Sequence, residues 1–152
     1  MSPTAAPCPC GQSGCFERYA SANAVAERLV EAVEAGEDSV LAEKVKSKQP
    51  FDARDVIKAA DSGDQLARRI WDETCRYLAL GCINIEHLFN PELVVLAGGM
   101  INAGQRLLDP VREHFSHHRW KITRAMPEIV PATLGNDAGI IGAAILARQA
   151  SV

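Results

Sequence analysis

The stretch Asn90-Pro91-Glu92-Leu93-Val94-Val95-Leu96-Ala97-Gly98-Gly99 decides the fold class of this 152-residue chain. Asn90-Pro91 closes the preceding helix, because proline cannot continue one and pushes its neighbour out of the α region. Leu93 to Ala97 shows no polar alternation, which predicts a strand covered on both faces, as in a parallel sheet. Gly98-Gly99 breaks that strand. Leu107, Leu108, Val111 and Phe115 then predict a helix from about Gly104 to Phe115. A second strand is expected near Glu128 to Ala132, at a sheet edge, because Pro127 flanks it and Pro131 lies within it. Asn136 or Asp137 is expected to cap a closing helix whose Gly139, Gly142, Ala143 and Ala144 allow tight packing. Strand, helix, strand, helix in this order is an α/β pattern. Two strands do not make a stable sheet with helices on both faces. The chain therefore reads as part of something larger, or as a protomer that borrows strands.

Upstream of this stretch the pattern is helical. Ser21 can cap a helix over about Ala22 to Ala35, with Val25, Leu29 and Val33 at i, i+4 spacing and Gly36 as the stop. Residues 37–50, with Lys44, Lys46 and Lys48, predict a short helix with a solvated face. Asp52 caps another short helix reaching Ala60, closed by Gly63. Asp64 opens the longest helix, Gln65 to about Phe89, with an apolar stripe through Ile70, Thr74, Tyr77, Leu78, Gly81, Ile85 and Leu88. Glycine costs about 1 kcal/mol against alanine inside a helix. Gly81 therefore predicts that a neighbour approaches the helix backbone closely.

Composition narrows the classes. With 47% hydrophobic and 23% charged residues, the chain has the make-up of one soluble domain with a core. A net charge of -3 argues against nucleic acid as the main partner. No apolar run reaches membrane-spanning length. Met1-Ser2-Pro3-Thr4-Ala5-Ala6-Pro7 lacks the basic start and apolar stretch of a signal peptide. These features predict a cytoplasmic protein with no membrane partner. A disulfide framework is not expected in that compartment, and Cys75 and Cys82 read as buried small hydrophobes on one helix face.

The chemistry concentrates in Cys8-Pro9-Cys10-Gly11-Gln12-Ser13-Gly14-Cys15-Phe16-Glu17. Three soft thiolates this close suit a tetrahedral zinc site and leave it one ligand short. The nearest downstream histidine, His87, lies in a predicted helix far along the chain. Glu17 by itself reads as a first-turn glutamate favoured by the helix dipole. Gly98-Gly99 reads as a tight strand-to-helix turn that also permits a ligand to approach the backbone. His114, His117, His118, Arg119, Lys121 and Arg124 read as a solvated basic helix end in preference to an anion site.

Together these pieces resemble the ROK family of bacterial sugar kinases and sugar-responsive repressors. The cluster matches that family's C-x-C-G-x-x-G-C-x-E pattern from Cys8 to Glu17, and Ser21 matches the serine that usually follows. Asn84 and Phe89 through Gly99 resemble its N-x-x-x-x-F-N-P-E stretch and the strand after it. Leu134 through Ala144 resembles its last segment. The resemblance implies the C-terminal part of an actin-like (RNase H-like) ATPase fold, helix-rich and with an incomplete sheet. It divides residues 1–152 into a zinc loop (1–20), a helical segment (21–90) and a β-α-β-α nucleotide-side segment (91–152).

The same resemblance implies site roles. Cys8, Cys10 and Cys15 become ligands of a structural Zn2+, and Glu17 becomes a contact to a sugar hydroxyl. Gly98, Gly99 and Met100 become part of the nucleotide wall. The family's fourth zinc ligand is a histidine of an E-x-G-H motif, expected ahead of Met1, with Pro3 and Pro7 at positions where relatives often have proline. The D-x-G-G-T phosphate motif and the aspartate base have no counterpart here. Asn136-Asp137 aligns with the last segment and reads as a helix cap. The expected parent is a glucokinase-like enzyme that uses ATP and Mg2+ on a hexose or N-acetylhexosamine and forms a homo-oligomer. The chain alone is expected to be inactive. A ROK repressor and a non-catalytic zinc-bearing oligomerisation module are the alternatives.

Overall fold

The computed structural model describes residues 5–122 and 126–150. Met1, Pro3 and Arg124, and the side chain of Asn136, lie outside that description. Among the described residues, seven α-helices and two strands follow in order: α1 (Glu17–Ala20), α2 (Ala22–Glu34), α3 (Ala42–Lys46), α4 (Ala53–Asp61), α5 (Gln65–Phe89), β1 (Leu93–Leu96), α6 (Gln105–His118), β2 (Glu128–Pro131) and α7 (Ala138–Ala150). The strands pair in parallel, with Leu93 opposite Glu128 and Leu96 opposite Pro131. The chain is α/β and helix-rich. No helix among the described residues is long and apolar enough to cross a membrane.

The helices start and stop where side chains satisfy their free backbone groups. Ser21 Oγ accepts the Ala24 N–H at 3.2 Å and opens α2. Asp52 and Asp55 form a reciprocal capping box at the start of α4. Asp64 accepts the Ala67 N–H at 2.9 Å to open α5, and also the Ser39 hydroxyl and Val40 N–H, both at 2.7 Å. It is a buried carboxylate that ties the loop before α3 to the longest helix. Asn90 ends α5 in the left-handed conformation, at φ 44°.

The core lies where α2, α4, α5 and α6 meet. Val25, Leu29, Val56, Ile70, Cys75, Leu107, Val111 and Phe115 are all buried in it. Burial pushes the Cys75 thiol up to about 12 and the Cys82 thiol to about 11, so both stay protonated and act as small hydrophobes. Trp71 closes the α5–α6 contact by donating its indole N–H to the Arg106 carbonyl at 2.9 Å.

Three expectations change. First, β1 is not covered on both faces by the described residues. Val94 is buried, but Leu93 is 47% and Val95 53% exposed. The helical body covers one face of the sheet, and α7 buries none of its residues. Second, the stripe on α5 is right as far as Gly81 and then turns. Ile85 and Leu88 are exposed, while Cys82, Ile83 and Glu86 are buried. The cause is the third change. Arg119 is no solvated helix end: its guanidinium meets Glu86 at 2.6 Å, with side chains 9% and 3% exposed. That pair draws the far end of α5 towards the end of α6.

Candidate functional site

The cysteine loop is a folded unit. Pro7 bridges Ser13 in antiparallel fashion. The Gly14 N–H donates to the Ala6 carbonyl and the Cys8 N–H to the Gln12 carbonyl, at 2.9 and 2.8 Å. Gly14 holds φ +81°, and a Cβ there would lie 3.1 Å from that of Ala5, so this turn needs glycine. The Ala6 N–H donates to the Tyr19 hydroxyl at 3.0 Å, and the Tyr19 ring lies 4.9 Å from that of Tyr77 on α5. The loop is thus fastened to α1 and, through it, to α5.

Inside the loop the sulfurs of Cys8, Cys10 and Cys15 lie within 4.8 Å of one another, and Cys10 and Cys15 are 3.4 Å apart. Two thiolates on one tetrahedral zinc with 2.3 Å bonds would be about 3.8 Å apart. The Gln12 backbone, followed by the Cys15 and Cys8 thiols, holds the Cys10 thiol below its ordinary value. Cys10, then Cys8, pushes the Cys15 thiol up to about 12. Thiols this crowded ionise together only when a cation shares their charge. The donor set therefore fits zinc. The group consists of the three cysteines, and no histidine among the described residues joins it. His87 lies instead against Trp120, with ring centroids 4.9 Å apart and the planes tilted by 40°.

Glu17 is the first residue of α1, directly after this loop. Its carboxylate is exposed and makes no hydrogen bond or ion pair among the described residues. The neighbouring Arg18 is committed to Glu27 and, at 3.7 Å, to Glu31. A free carboxylate fixed at the start of a helix can accept strong hydrogen bonds from hydroxyl groups.

Gly98 follows β1 at φ +101°. A Cβ built at Gly98 or Gly99 meets nothing within 4 Å, so the backbone faces open space there. Two cavities adjoin this turn. One, of about 490 Å³, is walled by Asn23 and Ala26 of α2, Ile57 and Lys58 of α4, Trp71 of α5, and Gly99 and Met100. The other, of about 270 Å³, runs from Ala20 and Ser21 past Leu78 to Gly98. The two adjoining cavities share Ala22, Gly99 and Met100 as walls and make up the cleft between the end of α1 and α4. Arg54 and Arg106 at its rim are paired with Asp52 at 2.6 Å and Asp61 at 3.1 Å. Lys58 has no such partner among the described residues. An apolar cleft with glycine backbone on one side and a free ammonium at the rim suits a flat, partly charged ligand. Asn23, Ile57, Lys58 and Trp71 were not candidates from the sequence. They come from three separate helices and carry no local motif.

The model of the ROK family matches residues 1–150. The glucokinase of Halalkalibacterium halodurans is 38% identical over 144 residues, covering 95% of this chain and 44% of that protein. The crystal structure of a ROK family glucokinase from Streptomyces griseus in complex with glucose and AMPPNP is similar with a TM-score of 0.79 at 31% identity, over 98% of this chain and 49% of that one. The DNA-binding transcriptional dual regulator NagC of Escherichia coli is 28% identical over 99% of this chain and 36% of the regulator. The chain spans about half the length of the glucokinases it matches.

Proposed function

The chain belongs to the ROK family, whose fold is of the actin-like ATPase type, and on that premise we propose that it is the C-terminal, glucokinase-like part of an ATP-dependent hexose kinase of the cytoplasm. The observation that carries the reading is the pair of adjoining cavities that meet at the Gly98-Gly99 turn, the smaller of which reaches the end of α1. The proposed sugar contact, Glu17, opens the short helix α1, whose last residue, Ala20, lines the smaller cavity together with Gly98, Gly99 and Met100, the proposed nucleotide wall. Glu17 would accept hydrogen bonds from hexose or N-acetylhexosamine hydroxyls. Gly98 and Gly99 would let the nucleotide lie against bare backbone, with Trp71 and Ile57 beside its flat end and Lys58 at the charged rim. Cys8, Cys10 and Cys15 would hold a structural zinc that stiffens the loop preceding Glu17. In the complete enzyme, Mg2+ with ATP supplies charge neutralisation on the phosphates.

Phosphoryl transfer needs both substrates positioned and a base for the hydroxyl proton. This chain offers one sugar contact and one nucleotide wall, so the 152 residues alone are proposed to bind weakly and not turn over. Titration with a non-hydrolysable ATP analogue is expected to move the amide signals of Lys58, Gly98 and Gly99; shifts confined elsewhere would sink the nucleotide assignment. A coupled assay with glucose, N-acetylglucosamine, N-acetylmannosamine and fructose is expected to stay at background, and turnover above it would overturn the claim of inactivity. Metal analysis is expected to find one zinc per chain, lost in Cys10→Ser.

The match to NagC favours a second reading, the same part of a sugar-responsive repressor. The coding sequence upstream distinguishes the two. An in-frame D-x-G-G-T and E-x-G-H alone supports the kinase, and a helix-turn-helix ahead of them supports the repressor.

A further inference from the structure

Glycine at position 81, in the middle of a 25-residue helix, has a specific occupant above it. A Cβ at Gly81 would lie 2.7 Å from Phe16 Cζ and 3.2 Å from Cε2. The tip of the Phe16 ring therefore sits in a notch that only glycine provides. Phe16 lies between Cys15, the third thiol, and Glu17, the unpaired carboxylate. It is 51% exposed, so it is not part of the core. Its backbone caps α1, and the N–H groups of Tyr19 and Ala20 both donate to its carbonyl at 3.0 Å. The Arg18 N–H donates to the Cys15 carbonyl at 3.0 Å. The ring thus anchors the one turn of backbone that carries a cysteine at one end and a carboxylate at the other.

We propose that Phe16, seated over Gly81, is a positioning residue that fixes the Cys15–Glu17 turn, holding the Cys15 thiol with those of Cys8 and Cys10 and Glu17 at the start of α1. The proposal rests on the reading of the cysteine loop as a metal site. A displaced ring moves Cys15 away from its two partners and rotates Glu17 with it. The metal and the sugar contact are then coupled through one aromatic side chain and one missing methyl group.

The test uses the full 152-residue chain and Co2+ as the probe, read by the thiolate-to-cobalt charge-transfer band. Gly81→Ala should weaken Co2+ binding by about tenfold or more, the scale on which residues that orient metal ligands act. This loss should occur although alanine is the better helix former. Phe16→Leu in the Gly81→Ala background, which removes the clash, should restore most of that affinity. Phe16→Ala should also weaken binding while leaving the helical circular dichroism unchanged, which keeps the readout available if Gly81→Ala fails to fold. The Glu17 amide signal should move in each weakened variant. Affinity for Gly81→Ala within about twofold of the parent would overturn the proposal. So would a loss that the double variant does not relieve, or a drop in melting temperature with no change in affinity. A parent chain that gives no thiolate–cobalt band sinks the metal reading itself, an outcome separate from these, and the proposal falls with it.

Discussion

The helical body and the open side of this molecule are made from the same residue types and end in opposite states. In the body, α2, α4, α5 and α6 turn their apolar stripes towards one another, and Leu29, Val56, Ile70 and Phe115 are sealed from water. On the open side, Val95 on the outer face of β1 and Ile140, Ile145 and Leu146 of α7 are exposed. α7 carries a single charged residue, Arg148, and touches little beyond the turn before it. Leucine and isoleucine do not choose burial alone. An apolar stripe is buried only when a second layer lies against it. The body supplies its own second layer, and the open side has none among the described residues.

That contrast can be broken most readily at Phe115, which fills the α5–α6 contact with the Arg119 guanidinium 5.9 Å from its ring centre. Phe115→Ala should cost about 3–5 kcal/mol, as truncation of a buried aromatic does. Urea unfolding measures it, and a loss under about 1 kcal/mol would show that the body is not packed as described.

Asp64 is next. Asp64→Ala removes the α5 cap and leaves the Ser39 and Val40 donors unsatisfied, so a loss of about 2 kcal/mol is expected. Burial alone would raise the pKa of this carboxyl. The Ala67 N–H, the Ser39 hydroxyl and the Val40 N–H outweigh that and hold it below the ordinary 3.8. A folded-state pKa below the unfolded one stabilises the fold above about pH 4. The contribution fades as the pH falls through the lowered value. The parent should therefore lose this part of its stability on acidification below pH 4, and Asp64→Ala should not. Equal acid sensitivity in both chains would remove Asp64 from that role.

The smallest effect belongs to the open side. Val95→Thr and Ile145→Thr should each change stability by no more than about 0.5 kcal/mol, because neither side chain leaves a packed environment. Both should reduce binding of an apolar dye. A loss above about 1.5 kcal/mol at either site would mean that the open side is covered in solution and would erase the distinction.

Much of the fold was legible because helix ends are written locally. Ser21, Asp52 and Asp64 each open a helix, and Gly36, Gly63 and Asn90 each follow one, within a residue or two of the expected places. Gly81 announced a close neighbour, but only the structure says that the neighbour is Phe16, because 65 residues of chain separate them. Arg119 shows the limit of local reading. Its immediate neighbours make a basic helix end, and its partner Glu86 lies 33 residues upstream. The strand Leu93 to Leu96 was read correctly as a strand, and the described residues cover only one of its faces, because the covering layer is not a property of the strand. The cleft was half legible. Gly98-Gly99 marked one wall, while Lys58 and Trp71 reach it through packing of helices that no spacing rule connects.

The cleft also gives the chain an optical gauge. Its two tryptophans stand in unlike surroundings: Trp71 is 7% exposed on the wall of the larger cavity, and Trp120 is 65% exposed beside His87. A soluble quencher such as iodide silences the second and leaves the first to emit at the shorter wavelength of an apolar site. The light that survives quenching then reports on the cleft alone, and occupancy can be followed in a cuvette without a label.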